Sequence, residues 1–111
     1  MIRSASKPEI QDEASADASV LEVLQALSDP VRLDIVRQLA AAEHPGELMC
    51  REIRLSVTKS TASHHLKILA RAGITAEREA GTAKYLSLRR DDLDRRFPGL
   101  LDSVLRAANT H

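Results

Sequence analysis

The residues with most chemistry to offer lie between Val57 and Gly73, in the run Thr58-Lys59-Ser60-Thr61-Ala62-Ser63-His64-His65-Leu66-Lys67-Ile68-Leu69-Ala70-Arg71-Ala72. Turned through about 100° per residue, Ser60, Ser63, His64, Lys67 and Arg71 fall on one side. Ala62, Leu66 and Leu69 fall on the other. The polar side combines hydroxyls, an imidazole and cations, and the whole run holds no carboxylate. Such a face can donate to phosphate oxygens and to base edges. Thr58 is a fitting N-cap and Gly73 a fitting exit through a left-handed conformation. The expected element is a DNA-recognition helix.

Other chemistries fit less well. His64 and His65 are adjacent, but successive helical positions diverge by about 100°, so the two rings do not readily chelate one ion. His65 borders the apolar stripe and is expected to pack there with one hydrogen bond. Ser, His and Asp all occur, yet no spacing sets a nucleophile beside a base and an orienting group, so no enzymatic activity is expected. Cys50, the lone cysteine, is either a small, partly buried hydrophobe or a redox sensor, oxidising alone or pairing across a dimer.

The elements that must position this helix follow from periodicity. Residues 1–15, rich in Ser, Ala, Asp and Glu, read as a flexible tail, and residues 16–109 as one domain. Val20, Val23, Leu24 and Leu27 space a helix from Ala16 to Leu27. Asp29 and Pro30 read as N-cap and first residue of a second helix, which runs to about Ala42 and buries Leu33, Val36, Leu39 and Ala40. His44-Pro45-Gly46 is a loop. A short helix from about Met49 to Leu55, with Ile53 and Leu55 inward, would precede the turn Ser56-Val57-Thr58 and complete a helix-turn-helix.

After Gly73 the period shortens to two. Ile74–Glu79 and Ala83–Leu88 read as a β-hairpin around Ala80-Gly81-Thr82, with Arg78 and Lys84 near its tip. A ribbon in that place is a wing, able to reach phosphates or the minor groove. Leu93, Phe97, Leu100, Leu101, Val104, Leu105 and Ala108 mark a terminal helical segment that Pro98 should break or kink. The fold class is therefore mainly α with a two-stranded β-wing. Its first and last helices carry more apolar surface than so small a domain needs. A twofold mate packed on Val20, Val23, Leu24, Leu27, Phe97, Leu101, Val104 and Leu105 would cover the surplus.

Formal charge sums to zero, but unevenly. Residues 51–90 hold nine bases against three acids, a local +6, while residues 1–50 hold four against nine. A basic middle between acidic flanks is the footprint of a nucleic-acid face. Tyr85 and Phe97 are the only aromatics, too few for a single-strand stacking platform. No apolar run is long enough to span a bilayer, the first residues lack a signal peptide's apolar core, and one cysteine excludes a disulfide framework. A cytoplasmic location is expected.

Two phrases resemble the ArsR/SmtB family of bacterial repressors: Leu27-Ser28-Asp29-Pro30-Val31-Arg32-Leu33-Asp34-Ile35-Val36, and Ser60 to Leu69 followed by Ala72-Gly73-Ile74. The resemblance implies a homodimeric winged helix-turn-helix that represses by occupying an operator, joined through its first and last helices. It implies DNA contacts at Ser60, Thr61, Ser63, His64 and Lys67, and wing contacts at Arg78 and Lys84; Lys59 and Arg71 extend the same basic face. The chain departs from the family in its metal motifs. In Glu47-Leu48-Met49-Cys50-Arg51-Glu52-Ile53, Met49 and Arg51 stand where the family has thiolates, and Asp92-Leu93-Asp94 lacks the histidine of its C-terminal zinc site. Neither metal site is expected, and no cofactor. The expected partner is double-stranded DNA, with the effector undefined. A redox-responsive repressor using Cys50, and an adaptor that binds protein rather than DNA, are the other readings.

Overall fold

The computed structural model describes residues 20–43 and 46–110. The expected tail, the first residues of the first helix and most of the His44-Pro45-Gly46 loop lie outside them. Residues 20–27 are helical and form α1. They are followed by α2 (Pro30–Ala40), β1 (Glu47–Met49), a single 3-10 turn (Cys50–Glu52), α3 (Lys59–Arg71), β2 (Thr75–Ala80), β3 (Ala83–Leu88), α4 (Arg90–Arg96) and α5 (Leu100–Ala108).

Local signals account for most boundaries. Asp29 caps α2 by accepting from the N–H groups of Val31 and Arg32 at 2.8 and 3.1 Å, and Pro30 occupies the first turn, where its missing N–H costs nothing. Thr58 caps α3 by accepting from the N–H of Thr61 at 3.3 Å. Gly73, at φ +78°, ends α3 in a paired-bond cap: its own N–H reaches Ala70 O, and that of Ile74 reaches Leu69 O, each at 3.0 Å. Ile74 and Leu69 are both fully buried, adding the apolar contact that accompanies this cap. Pro98 and Gly99 separate α4 from α5, so the terminal segment is broken in two.

The wing differs from expectation. It has three antiparallel strands in the order β1-β3-β2, with Leu48 opposite Leu86 and Arg78 opposite Tyr85. The segment expected to be a helix from Met49 to Leu55 is strand, then one 3-10 turn, then extended chain. Glu52 accepts from the N–H of Met49 at 2.8 Å, closing the turn on itself. Gln38 of α2 then takes both backbone groups of Arg54, accepting from its N–H at 2.9 Å and donating to its carbonyl at 2.8 Å. Those bonds replace the ones a continuing helix would make. Ile53 is buried as expected, but Leu55 is 38% exposed rather than inward. Gly46, at φ +70°, lets β1 start hard against β3, where a Cβ would lie 3.1 Å from that of Leu88.

Ile35, Val36, Leu39, Leu69, Ile74 and Leu86 form the fully buried centre, drawn from α2, α3 and the sheet. Val23, Leu27, Leu101 and Leu105 complete the same core. These four, expected at a dimer interface, are therefore spent within one protomer. Leu24 is 44% exposed, and Val20, Phe97 and Val104 are partly buried. Leu21, not expected to contribute, is the most exposed large hydrophobe among the described residues at 61%.

Candidate nucleic-acid interface

The outer face of α3 is set by what its inner face buries. Ala62, His65 and Leu69 are buried, with Leu66 and Ile68 partly so. Lys59, Ser60, Thr61, Ser63, His64, Lys67 and Arg71 are all exposed. Lys59, Lys67 and Arg71 form no ion pair among the described residues. Their charge is thus uncommitted. Thr61 is engaged at the cap, where Thr58 Oγ1 donates to its hydroxyl at 3.1 Å. The side chains of Ser60, Ser63 and His64 make no hydrogen bond among the described residues.

The wing's two cations are held differently. Arg78 lies on β2, and its guanidinium crosses the Tyr85 ring, 4.3 Å from the centroid. It ends on Glu47 of β1 in a two-pronged pair, Nε to Oε2 at 3.2 Å and Nη2 to Oε1 at 3.0 Å. Arg78 thereby fastens the outer strands together across β3. Lys84 sits 3.9 Å from Glu77 and is half exposed, a loose pair. Arg89 pairs with Asp92, and Arg90 with Asp94 and Asp102. Four of the nine bases between residues 51 and 90 are thus ion-paired within the protomer, and three of the other five stand on α3.

The rear of α3 is anchored by a residue the sequence did not single out. Arg32 donates from Nη1 to His65 Nδ1 at 3.1 Å and from Nε to Ala26 O at 2.7 Å. His65 Nδ1 also lies 3.8 Å from Asp29 Oδ2. Burial raises the Asp29 carboxyl's pKa, but the N–H groups of Arg32 and Val31, then the charges of His65 and Arg32, outweigh it and leave it below the ordinary value. A phrase expected only to open α2 therefore also fixes the recognition helix. The arginine two positions after Pro30, facing back toward α1, was the available signal.

Cys50 is half-buried in a groove with Met49, Arg51, Thr82, Ala83 and Lys84. Burial, then the charge of Glu77, raises its thiol above the ordinary value, with Lys84 opposing. That favours the protonated, less nucleophilic form. Among the described residues no three His, Cys, Asp or Glu side chains gather closely enough to hold a metal ion, and no helix is long and apolar enough to cross a membrane.

Comparison with known proteins agrees with this geometry. Residues 27–78 match the family described as a helix-turn-helix domain. YceK of Bacillus subtilis, an uncharacterised HTH-type transcriptional regulator, is 39% identical over 92 residues, covering 81% of this chain and 90% of that protein. Among solved structures, the ArsR family transcriptional regulator RHA00566 superposes with a TM-score of 0.61 at 14% identity, over 86% of this chain and 95% of its own. The transcriptional repressor BigR from Xylella fastidiosa gives 0.57 at 25% identity, over 78% and 94%. This chain belongs to the HTH-type transcriptional regulators and has the winged helix-turn-helix fold of the ArsR family.

Proposed function

We propose that the protein is a homodimeric transcriptional repressor that reads an inverted-repeat operator with α3 of each protomer. The observation that carries this reading is the outer face of α3, on which Lys59, Lys67 and Arg71 form no ion pair among the described residues and stand among exposed hydroxyls and His64, with no carboxylate in the helix. Lys59, Lys67 and Arg71 anchor phosphates, which sets register; Ser60, Ser63 and His64 read base edges, and Thr61 offers a methyl to thymine. Lys84 adds a wing contact. Arg78 contributes chiefly by stiffening the wing, since its guanidinium is already shared between Glu47 and Tyr85. Leu21, Leu24, Val20, Phe97 and Val104 supply the mate's docking surface. The two recognition helices then enter successive major grooves about 34 Å apart. The reading includes no metal ligand set, so release from DNA would depend on another signal.

Duplexes selected from random sequence with the purified protein test this reading. His64→Ala is expected to cost about 1–3 kcal/mol on the selected duplex and to relax sequence preference. Lys67→Ala is expected to weaken selected and random duplexes alike. Equal loss by His64→Ala on both kinds of duplex contradicts its assignment. Failure to recover any duplex favours the protein-binding adaptor instead.

A further inference from the structure

We propose that His65 is a positioning residue for the recognition helix, and that its imidazole makes operator affinity proton-dependent by exchanging Arg32 for Asp29 as hydrogen-bond partner. This rests on the reading of α3 as the DNA-contacting helix.

The tautomer follows from the partner. A guanidinium only donates, so the His65 Nδ1 that lies 3.1 Å from Arg32 Nη1 carries the lone pair, and the neutral ring keeps its proton on Nε2. Arg32 has little freedom to look elsewhere. Its Nε donates to Ala26 O at 2.7 Å and its Nη2 to Gln25 O at 3.4 Å, both at the end of α1. One side chain therefore ties α1, the start of α2 and the middle of α3 together, and it does so through a histidine with only 11% of its side chain exposed.

A proton on Nδ1 reverses this contact. The ring can no longer accept, and an imidazolium then faces a guanidinium. The nearest acceptor is Asp29 Oδ2, 3.8 Å from the same nitrogen. That oxygen is also the cap of α2, bound to the N–H groups of Val31 and Arg32. Moving toward His65 draws it away from the cap, so the exchange disturbs both helices at once. The charged groups facing His65 are Arg32 and Asp29 from α2 and its cap, and His64 beside it, with ring centroids 6.0 Å apart and planes tilted by 55°. Glu22 of α1 and Arg71 of α3 line the adjoining groove with Arg32. His64 is the next residue on the DNA side, so any turn of α3 about its axis at His65 displaces a base-reading side chain.

His65→Asn separates positioning from titration. The Asn side-chain oxygen replaces Nδ1 as acceptor for Arg32 and has no proton to gain. Wild type, His65→Asn, His64→Gln and the double variant His64→Gln/His65→Asn are titrated by fluorescence anisotropy at fixed ionic strength, using the tightest duplex selected at about pH 8. His64→Gln removes the neighbouring imidazole on the DNA-facing side, whose protonation would strengthen DNA binding. The affinity of wild type relative to His65→Asn is expected to fall about tenfold between about pH 8 and pH 5.5, in both the His64 and His64→Gln backgrounds. Parallel curves overturn this inference alone; recovery of no duplex at all overturns the DNA-binding reading and this inference with it. An arm without DNA reads the geometry directly: imidazole ¹H–¹⁵N correlations are expected to show His65 protonated on Nε2 at about pH 8. A neutral ring protonated on Nδ1 overturns the proposal.

Discussion

Replacing Leu21 and Leu24 together with glutamine isolates the surface on which a second copy would dock. Both side chains point away from the protomer core, 61% and 44% exposed, so in sum they leave about one whole leucine uncovered per protomer. Burying a leucine completely is worth about 1.5–3 kcal/mol. Twofold symmetry counts the pair twice, so a mate that covers them gains about 3–6 kcal/mol from these residues alone. Their loss should raise the dimer dissociation constant by about two to four powers of ten. Glutamine is a good helix former, and neither leucine belongs to the buried core, so α1 should persist. Sedimentation velocity across a dilution series reads the dissociation constant, and far-ultraviolet circular dichroism checks that the protomer is intact. Wild type is expected to sediment as a dimer and the variant to dissociate without unfolding. A monomeric wild type, or a variant that dimerises as tightly as wild type, would refute the assignment of this face.

Two further substitutions test the account of the fold. Asp29→Ala removes the α2 cap and should cost about 1 kcal/mol in chemical denaturation near neutral pH. Because the folded carboxyl titrates below its unfolded value, the stabilisation of wild type over Asp29→Asn is complete above about pH 4 and closes as pH falls through the folded value; a gap that widens in acid would contradict the assigned environment. Thr75 is 2% exposed, and its hydroxyl has no hydrogen-bond partner among the described residues. Thr75→Val keeps the shape and removes the unpaired group, with an expected gain of about 1 kcal/mol. In a thermal melt that corresponds to about 4–8 °C, and a lowered midpoint would show that the hydroxyl is satisfied.

What could be read from the chain alone was what neighbouring residues decide. The cap at Thr58, the exit at Gly73, the Asp29-Pro30 start and the break at Pro98 each depend on a few adjacent side chains, and each is where local chemistry puts it. The exposed set on α3 followed from one apolar stripe. Strand β1 was illegible because three residues show no period and their partner, β3, is remote in sequence. The position of Arg78 failed with it: a hairpin considered alone leaves that guanidinium free, whereas β1 brings Glu47 to it. Arg32 reads as an ordinary helical cation until α1 and α3 are placed around it. The apolar surplus of the first and last helices was visible, but the division between core and exposed face was not. Helical spacing alone cannot say that Val23 and Leu27 turn inward while Leu21 and Leu24 turn out.

The most direct test of the central claim is the salt dependence of binding to the selected duplex. Three cations on each α3, free of ion pairs among the described residues, make six in a dimer, and each neutralised phosphate contributes about 0.9 to the slope of log affinity against log salt, so α3 alone gives a slope near −5, which the Lys84 wing contact would steepen. Lys67→Ala, which removes two of the six, should make it shallower by about 2. A slope near zero, or one that Lys67→Ala leaves unchanged, would contradict the claim that the outer face of α3 grips DNA.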